Sequence, residues 1–380
     1  MNTILSPVTV QRFVALQGEL IGLVEQVCSG LTPKLEQIIR AFEFTKIELT
    51  VYRDRGYAQG RGAGQPEADR CALACAFLAK AVLDLKTTRA LIDRLQADSK
   101  LRRLCGFDLR FALPSEATFS RAFEEFAATE LLQRVHAHMI KDTLGEQLIG
   151  HISRDSTAIE ARETIAKKDP AKEVLAKAQT VKPKHKRGRP SKGEVRPAPE
   201  PSPLERQRGQ TLEQMLFELD TACATGTKTN AQGYKISWKG YKLHLDTACC
   251  GVPISAVLTG ANVHDSRVAI PLIRMSAQRV DACYELMDAA YCSTVIREEV
   301  QAAGRVPLIE HNPRKGEKRE FAPHEAQRYK TRSGAERCNA RLKDEFGARH
   351  VQVRGHAKVM CHLMLGVVAL CADQFTRLLQ

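Results

Sequence analysis

The chain has 380 residues, enough for two or three domains with cores of their own, and 43% of them are hydrophobic, the share of a globular protein. Lys plus Arg number 57 against 44 Asp plus Glu, and the resulting +13 favours a polyanionic partner, nucleic acid before a membrane surface. The Met1 end lacks a signal-peptide pattern and the longest apolar run, around His362 to Ala372, is short for a bilayer, so a secreted or membrane-spanning protein is not expected and the cytoplasm is. Twelve cysteines without zinc-knuckle spacing then read as small, reduced core residues.

In chain order, the first 150 residues read as mostly helical, with apolar residues at helical spacing in VQRFVALQGELIGLVEQV and CALACAFLAKAVLDL. The Gly-rich, charged RDRGYAQGRGAGQPEADR between them reads as a loop. KTTRALIDRLQADSKLRRLCGF and PSEATFSRAFEEFAA follow as short helices, the second opened by Pro114 and Ser115. The pair suits either a helix-turn-helix-like DNA reader or a plain helical bundle. A helical, DNA-binding N-terminal domain over 1–144 is therefore expected. A second domain over 145–380 would follow, interrupted at 167–210 by a basic tether too poor in apolar residues to fold. Within the tether, Arg187, Gly188, Arg189 and Pro190 form the core of an AT-hook, whose arginines enter the narrow minor groove of A·T-rich DNA. A generic basic tether is the other reading of that run.

Strands then alternate with helices. EQLIGHISRDSTAI before the tether, and YKISWKGYKLHLDTA, VPISAVLTGANVH, CYELMDAAY and RVPLIEHNPRKG after it, read as strands. DSRVAIPLIRMSAQ, TVIREEVQAAG and the segment from Tyr329 read as helices, which makes this an α/β layer fold. Two strands end on an acid, Asp155 and Asp288, and an acid at the end of an apolar strand is costly unless paired or bound to a cation. Asp265 sits where an N-cap is expected, and Asp246 leads into a turn with Thr247. His264 reads as structural and Trp238 as a core aromatic.

In YKTRSGAERCNARLKDEFG, Tyr329, Arg332, Glu336 and Lys343 fall within an arc of roughly 60° on a helix. Ala335, Cys338, Leu342 and Phe346 lie on the adjoining, core-facing side. A capping box of Ser333 and Glu336 would give Glu336 a purely structural task instead. Three carboxylates at Asp155, Asp288 and Glu336 suit Mg²⁺, and two such ions could clamp an in-line phosphoryl displacement.

The Y-x2-R-x3-E-x6-K spacing resembles the signature of the fourth family of bacterial insertion-sequence transposases. RDST at Asp155, WKGYKLHLD, ANVHDS and MDAAY are similar in kind and order. That resemblance implies an RNase H-like DDE catalytic domain with a mixed sheet flanked by helices, preceded here by an all-α region. It implies Asp155, Asp288 and Glu336 as catalytic metal ligands for two Mg²⁺ ions, with Mn²⁺ a possible substitute. It implies Tyr329, Arg332 and Lys343 as contacts to double-stranded DNA, namely transposon terminal repeats and target. It further implies a homodimer on DNA, associated with the bacterial nucleoid. The chain departs from the family in one respect: only 48 residues separate Asp288 from Glu336, where the family's well-studied members carry a large β-rich insertion. A non-catalytic, hook-bearing DNA-binding remnant and an end-indifferent nuclease are the rival readings.

Overall fold

The computed structural model describes residues 30–55, 68–165, 201–229, 232–313 and 317–379. The helix expected over VQRFVALQGELIGLVEQV and the Arg187–Pro190 hook lie outside them. Seven helices come first: α1 (Pro33–Thr45), α2 (Ile47–Arg55), α3 (Arg70–Val82), α4 (Thr88–Ala97), α5 (Ser99–Leu104), α6 (Glu116–Ala128) and α7 (Leu131–Leu144). Their starts follow side-chain chemistry. Thr32, Asp69, Thr87, Asp98 and Ser115 each accept a backbone N–H at the head of α1, α3, α4, α5 and α6, satisfying donors that the first turn leaves free.

Next come β1 (Leu148–Glu160), α8 (Pro203–Arg208), α9 (Leu212–Phe217), β2 (Ala224–Thr229), β3 (Lys235–Ala248) and β4 (Pro253–Gly260). A 3₁₀ turn at Asp265–Val268 leads into α10 (Ala269–Ala277), then β5 (Asp281–Met287), α11 (Thr294–Ala302), β6 (Val306–Ile309), α12 (Pro323–Tyr329), α13 (Ser333–Glu345) and α14 (His356–Leu379). The strands form one mixed sheet in the order β2-β3-β1-β5-β6, with β4 also paired to β3. β3 runs antiparallel to β1, β2 and β4, while β5 and β6 run parallel to β1 and β5. Helices α10 and α11 pack beside β4 and β6, and α13 lies over β1 and β3. This is the expected mixed sheet flanked by helices.

α14 is long and apolar enough to cross a bilayer by length and composition, yet it is the shaft of the core. It packs against α1, α3, α6, α7 and β4, with Val359, Leu363, Val367, Leu370 and Phe375 excluded from solvent. One hydrophobic cluster therefore runs from Leu35 through the sheet to Phe375. The expected boundary at 144 is not a break in that core, because the last helix of the chain is built into the first helical layer. The eleven described cysteines are free, and six are buried, as small core residues would be.

The tether expected to reach Gln210 is corrected at its end. Pro203–Arg208 is helical because Pro203 stands at the first turn and Ser202 and Glu205 close a capping box. Gln207 is buried and donates its amide to the Arg267 carbonyl (2.8 Å), which docks α8 on the sheet's flank.

Candidate active site

The parallel pairing of β1 with β5 places the first two acids. The register runs to Ser153 opposite Leu286, and two residues further along each strand stand Asp155 and Asp288. Side chains repeat every second residue and neighbouring strands lie about 5 Å apart, so the two acids share a level and a side. The sequence pattern ends β1 at Asp155, whereas the strand continues to Glu160, held on its other edge by β3, where Asp155 pairs with Leu245. Asp288 does follow its strand, and its carboxylate accepts the Ala290 N–H (2.9 Å) to start the turn Ala289–Tyr291.

Both acids are hard to ionise. Burial raises the Asp155 carboxyl to about 6, with the Asp288 charge adding to the rise and the Arg332 guanidinium opposing it. Burial also raises Asp288, with Asp265 and Glu310 adding to it, against the Ala290 hydrogen bond and Arg332.

The helical segment from Tyr329 completes the site. Arg332 Nη2 donates to Glu336 Oε1 at 2.6 Å, and its Nη1 lies 3.7 Å from Asp155 Oδ1. One guanidinium thus joins two of the three acids, and its charge also reaches the third. No capping box forms: the Ser333 end of α13 has no side-chain cap, so Glu336 is spent on Arg332 and solvent, 57% exposed. Tyr329 donates its hydroxyl to the Met287 carbonyl (3.1 Å), the residue before Asp288. Its ring packs on Phe321 at 4.8 Å, and burial pushes the phenol up to about 12. Ala335, Cys338, Leu342 and Phe346 face the core as expected.

Lys343 is not gathered with these groups. It lies seven residues beyond Glu336, about 10 Å along the helix. Its neighbours are Lys228, Arg349 and Glu160, and burial, then those two cations, lower its ammonium. One contact went unread in the sequence: Asn339, 6% exposed, donates to Asp155 Oδ2 at 2.9 Å. Its spacing three residues after Glu336 is the signal that could have shown it.

The opposite face of the sheet carries a buried ion network. Arg154, 1% exposed, donates to both oxygens of Asp246 (2.7 and 2.8 Å) and to Glu285 (3.1 Å), which Arg305 also holds (2.7 Å). Asp246 is therefore not the turn residue expected but a fully buried counter-ion in β3. Asp265 is not the cap expected either. His264 caps the turn by accepting the Ser266 N–H, freeing Asp265 to accept Lys242 Nζ at 2.8 Å. Trp238 is half-buried, its indole N–H on the Tyr241 carbonyl (3.0 Å).

Among the described residues, no three His, Cys, Asp or Glu are drawn close enough together to hold a metal ion. In kind, the donors fit a hard divalent cation: three carboxylates, two of them desolvated and repelling one another. Arg332 stands among them as the present counter-charge.

Over residues 202–372 the chain matches the family model described as transposase DDE domain, and over 28–125 the one described as transposase domain. No curated protein and no solved structure matches it. A DDE domain is RNase H-like, which is the class this mixed sheet belongs to. With both models matched, the chain is an insertion-sequence DDE transposase. The first match begins beyond β1, so the case for Asp155 stands on its geometry.

Proposed function

We propose that this transposase cuts DNA strands at the ends of its insertion sequence and joins the freed 3′-OH to target DNA, in the manner of the fourth insertion-sequence family. The observation that carries this is the strand register, which sets Asp155 beside Asp288, together with the Arg332 bridge from Asp155 to Glu336. Asp155, Asp288 and Glu336 would hold two divalent ions, Mg²⁺ or Mn²⁺. When bound, such ions supply Lewis acidity at the attacking and leaving oxygens of a phosphodiester.

The remaining roles belong to the chain itself. Asn339 orients Asp155, and Tyr329 pins the end of β5 so that Asp288 stays level with it. Arg332 offsets the negative charge of Asp155 and Glu336, and its planar fork would also suit a DNA phosphate. Lys343 would take a phosphate further along the same helix. The helices up to residue 144 and the Arg187–Pro190 hook would add end binding, in a dimer on DNA at the nucleoid.

The test is incubation of the full chain with Mg²⁺ and DNA carrying the element's ends. Asp155→Ala, Asp288→Ala and Glu336→Ala are each expected to end cleavage while keeping end binding. Full cleavage by any one of them removes that residue from the site, and wild-type binding without any nicking supports a non-catalytic remnant.

A further inference from the structure

β3 pairs with β1 and β4 only from Gly240 onward, whereas β2 pairs with its earlier half, Thr229 to Ala224 against Lys235 to Gly240. Residues 235–239 thus leave the body of the sheet as half of a two-stranded ribbon about 16 Å long. Thr227, Lys228 and Thr229 on one strand and Lys235, Ile236 and Ser237 on the other are exposed on both faces. Tyr234 is 68% exposed and Ile236 46%, apolar bulk placed where no core can take it. From Thr221 to Leu245 the chain carries Lys228, Lys235, Lys239 and Lys242 and no Asp or Glu.

The base of the ribbon is stiff. The Trp238 ring lies across Gly226 so closely that a Cβ there would come within 2.4 Å of it, so any larger residue would have to displace the ring. The basic edge also continues into the active-site helix. Lys228 and Arg349 crowd Lys343, with Glu160 and Asp344 as the opposing charges and Asp344 already engaged by Arg349.

We propose that the β2–β3 ribbon is a second DNA grip, entering the major groove of the duplex whose backbone runs past α13. Lys228, Lys235 and Lys239 sit on phosphates, and Tyr234 and Ile236 rest against base edges and thymine methyls. A groove about 12 Å wide admits a two-stranded ribbon, and a strip without acids suits its flanking phosphates. This rests on the DNA reading above.

The test uses the full chain and a fluorescein-labelled duplex of random sequence, followed by anisotropy across a salt series. Replacing Lys228, Lys235 and Lys239 together by Ala should lower the slope of log affinity against log salt by about 2 to 3 units, near 0.9 for each phosphate no longer neutralised. The pair Tyr234→Ala and Ile236→Ala should weaken binding with the slope unchanged. Circular dichroism should match wild type in both, since these side chains are exposed. Wild type that binds while the triple variant keeps its slope overturns the ribbon alone. Wild type that does not bind duplex overturns the DNA reading with it.

Discussion

Asp155→Asn is expected to make the metal-free protein more stable while ending cleavage. The Asp155 side chain is 21% exposed, and its carboxyl rises from 3.8 to about 6, chiefly through burial. At neutral pH the carboxylate is ionised in both folded and unfolded chains, so the folded state carries the cost of that shift. Two units at 1.36 kcal/mol each is about 3 kcal/mol, a sizeable part of a typical folding free energy. Asparagine removes the charge and keeps an oxygen for Asn339. The sign follows from proton counts. Between about pH 4 and pH 6 the folded state holds more protons than the unfolded one, so wild-type stability falls as pH rises through that window. Below it both forms are protonated and the cost is gone. Urea unfolding in the presence of a chelator should show the variant ahead at neutral pH and level with wild type in acid. Added Mg²⁺ should raise wild type and leave the variant where it is. A variant no more stable than wild type at neutral pH, or equally ahead at both, would refute the reasoning.

Arg154→Met leaves Asp246 and Glu285 buried with one cation fewer and should cost about 3 to 5 kcal/mol in urea unfolding; a loss under about 1 kcal/mol would show the network to be dispensable. Tyr329→Phe removes one hydrogen bond to Met287, so stability should drop by about 1 kcal/mol while cleavage slows more than that loss explains. Equal rates would free Tyr329 of any part in placing Asp288. Burial holds His136 near 3 and His362 near 4, so the unfolded chain takes up protons below about pH 6.5 that the folded one refuses. Stability should fall on acidification with a slope of about 1.4 kcal/mol per pH unit for each, and His362→Gln should make that slope shallower.

The helical periodicity of CALACAFLAKAVLDL and PSEATFSRAFEEFAA translated directly into α3 and α6, because their apolar faces had one core to meet. YELMD gave β5 and its terminal Asp for the same reason: a short buried run bounded by a turn has few other homes. In the segment from Tyr329, spacing alone showed the core-facing side, Ala335, Cys338, Leu342 and Phe346, but neither the separation of Lys343 from Glu336 nor the contact of Asn339. What the sequence hid was pairing across distance. Asp246 looks like a turn residue until Arg154 appears beside it, and Asp265 looks like a cap until Lys242 does, since neither partner is near in sequence. Pro203 lies in the run read as a tether, although proline at a first turn begins a helix as readily as it ends one.

Arg154 and Asp155 are adjacent, and the sheet sends them to opposite sides. A slip of β1 by one position would turn Arg154 to the face of Asp288 and Glu336 and Asp155 to that of Asp246 and Glu285, where Arg305 would be left against three acids. Such a misalignment should cost about 3 to 5 kcal/mol, as breaking a buried ion pair does. The same pair of residues therefore penalises misassembly, so that the stable register is the one that sets Asp155 beside Asp288.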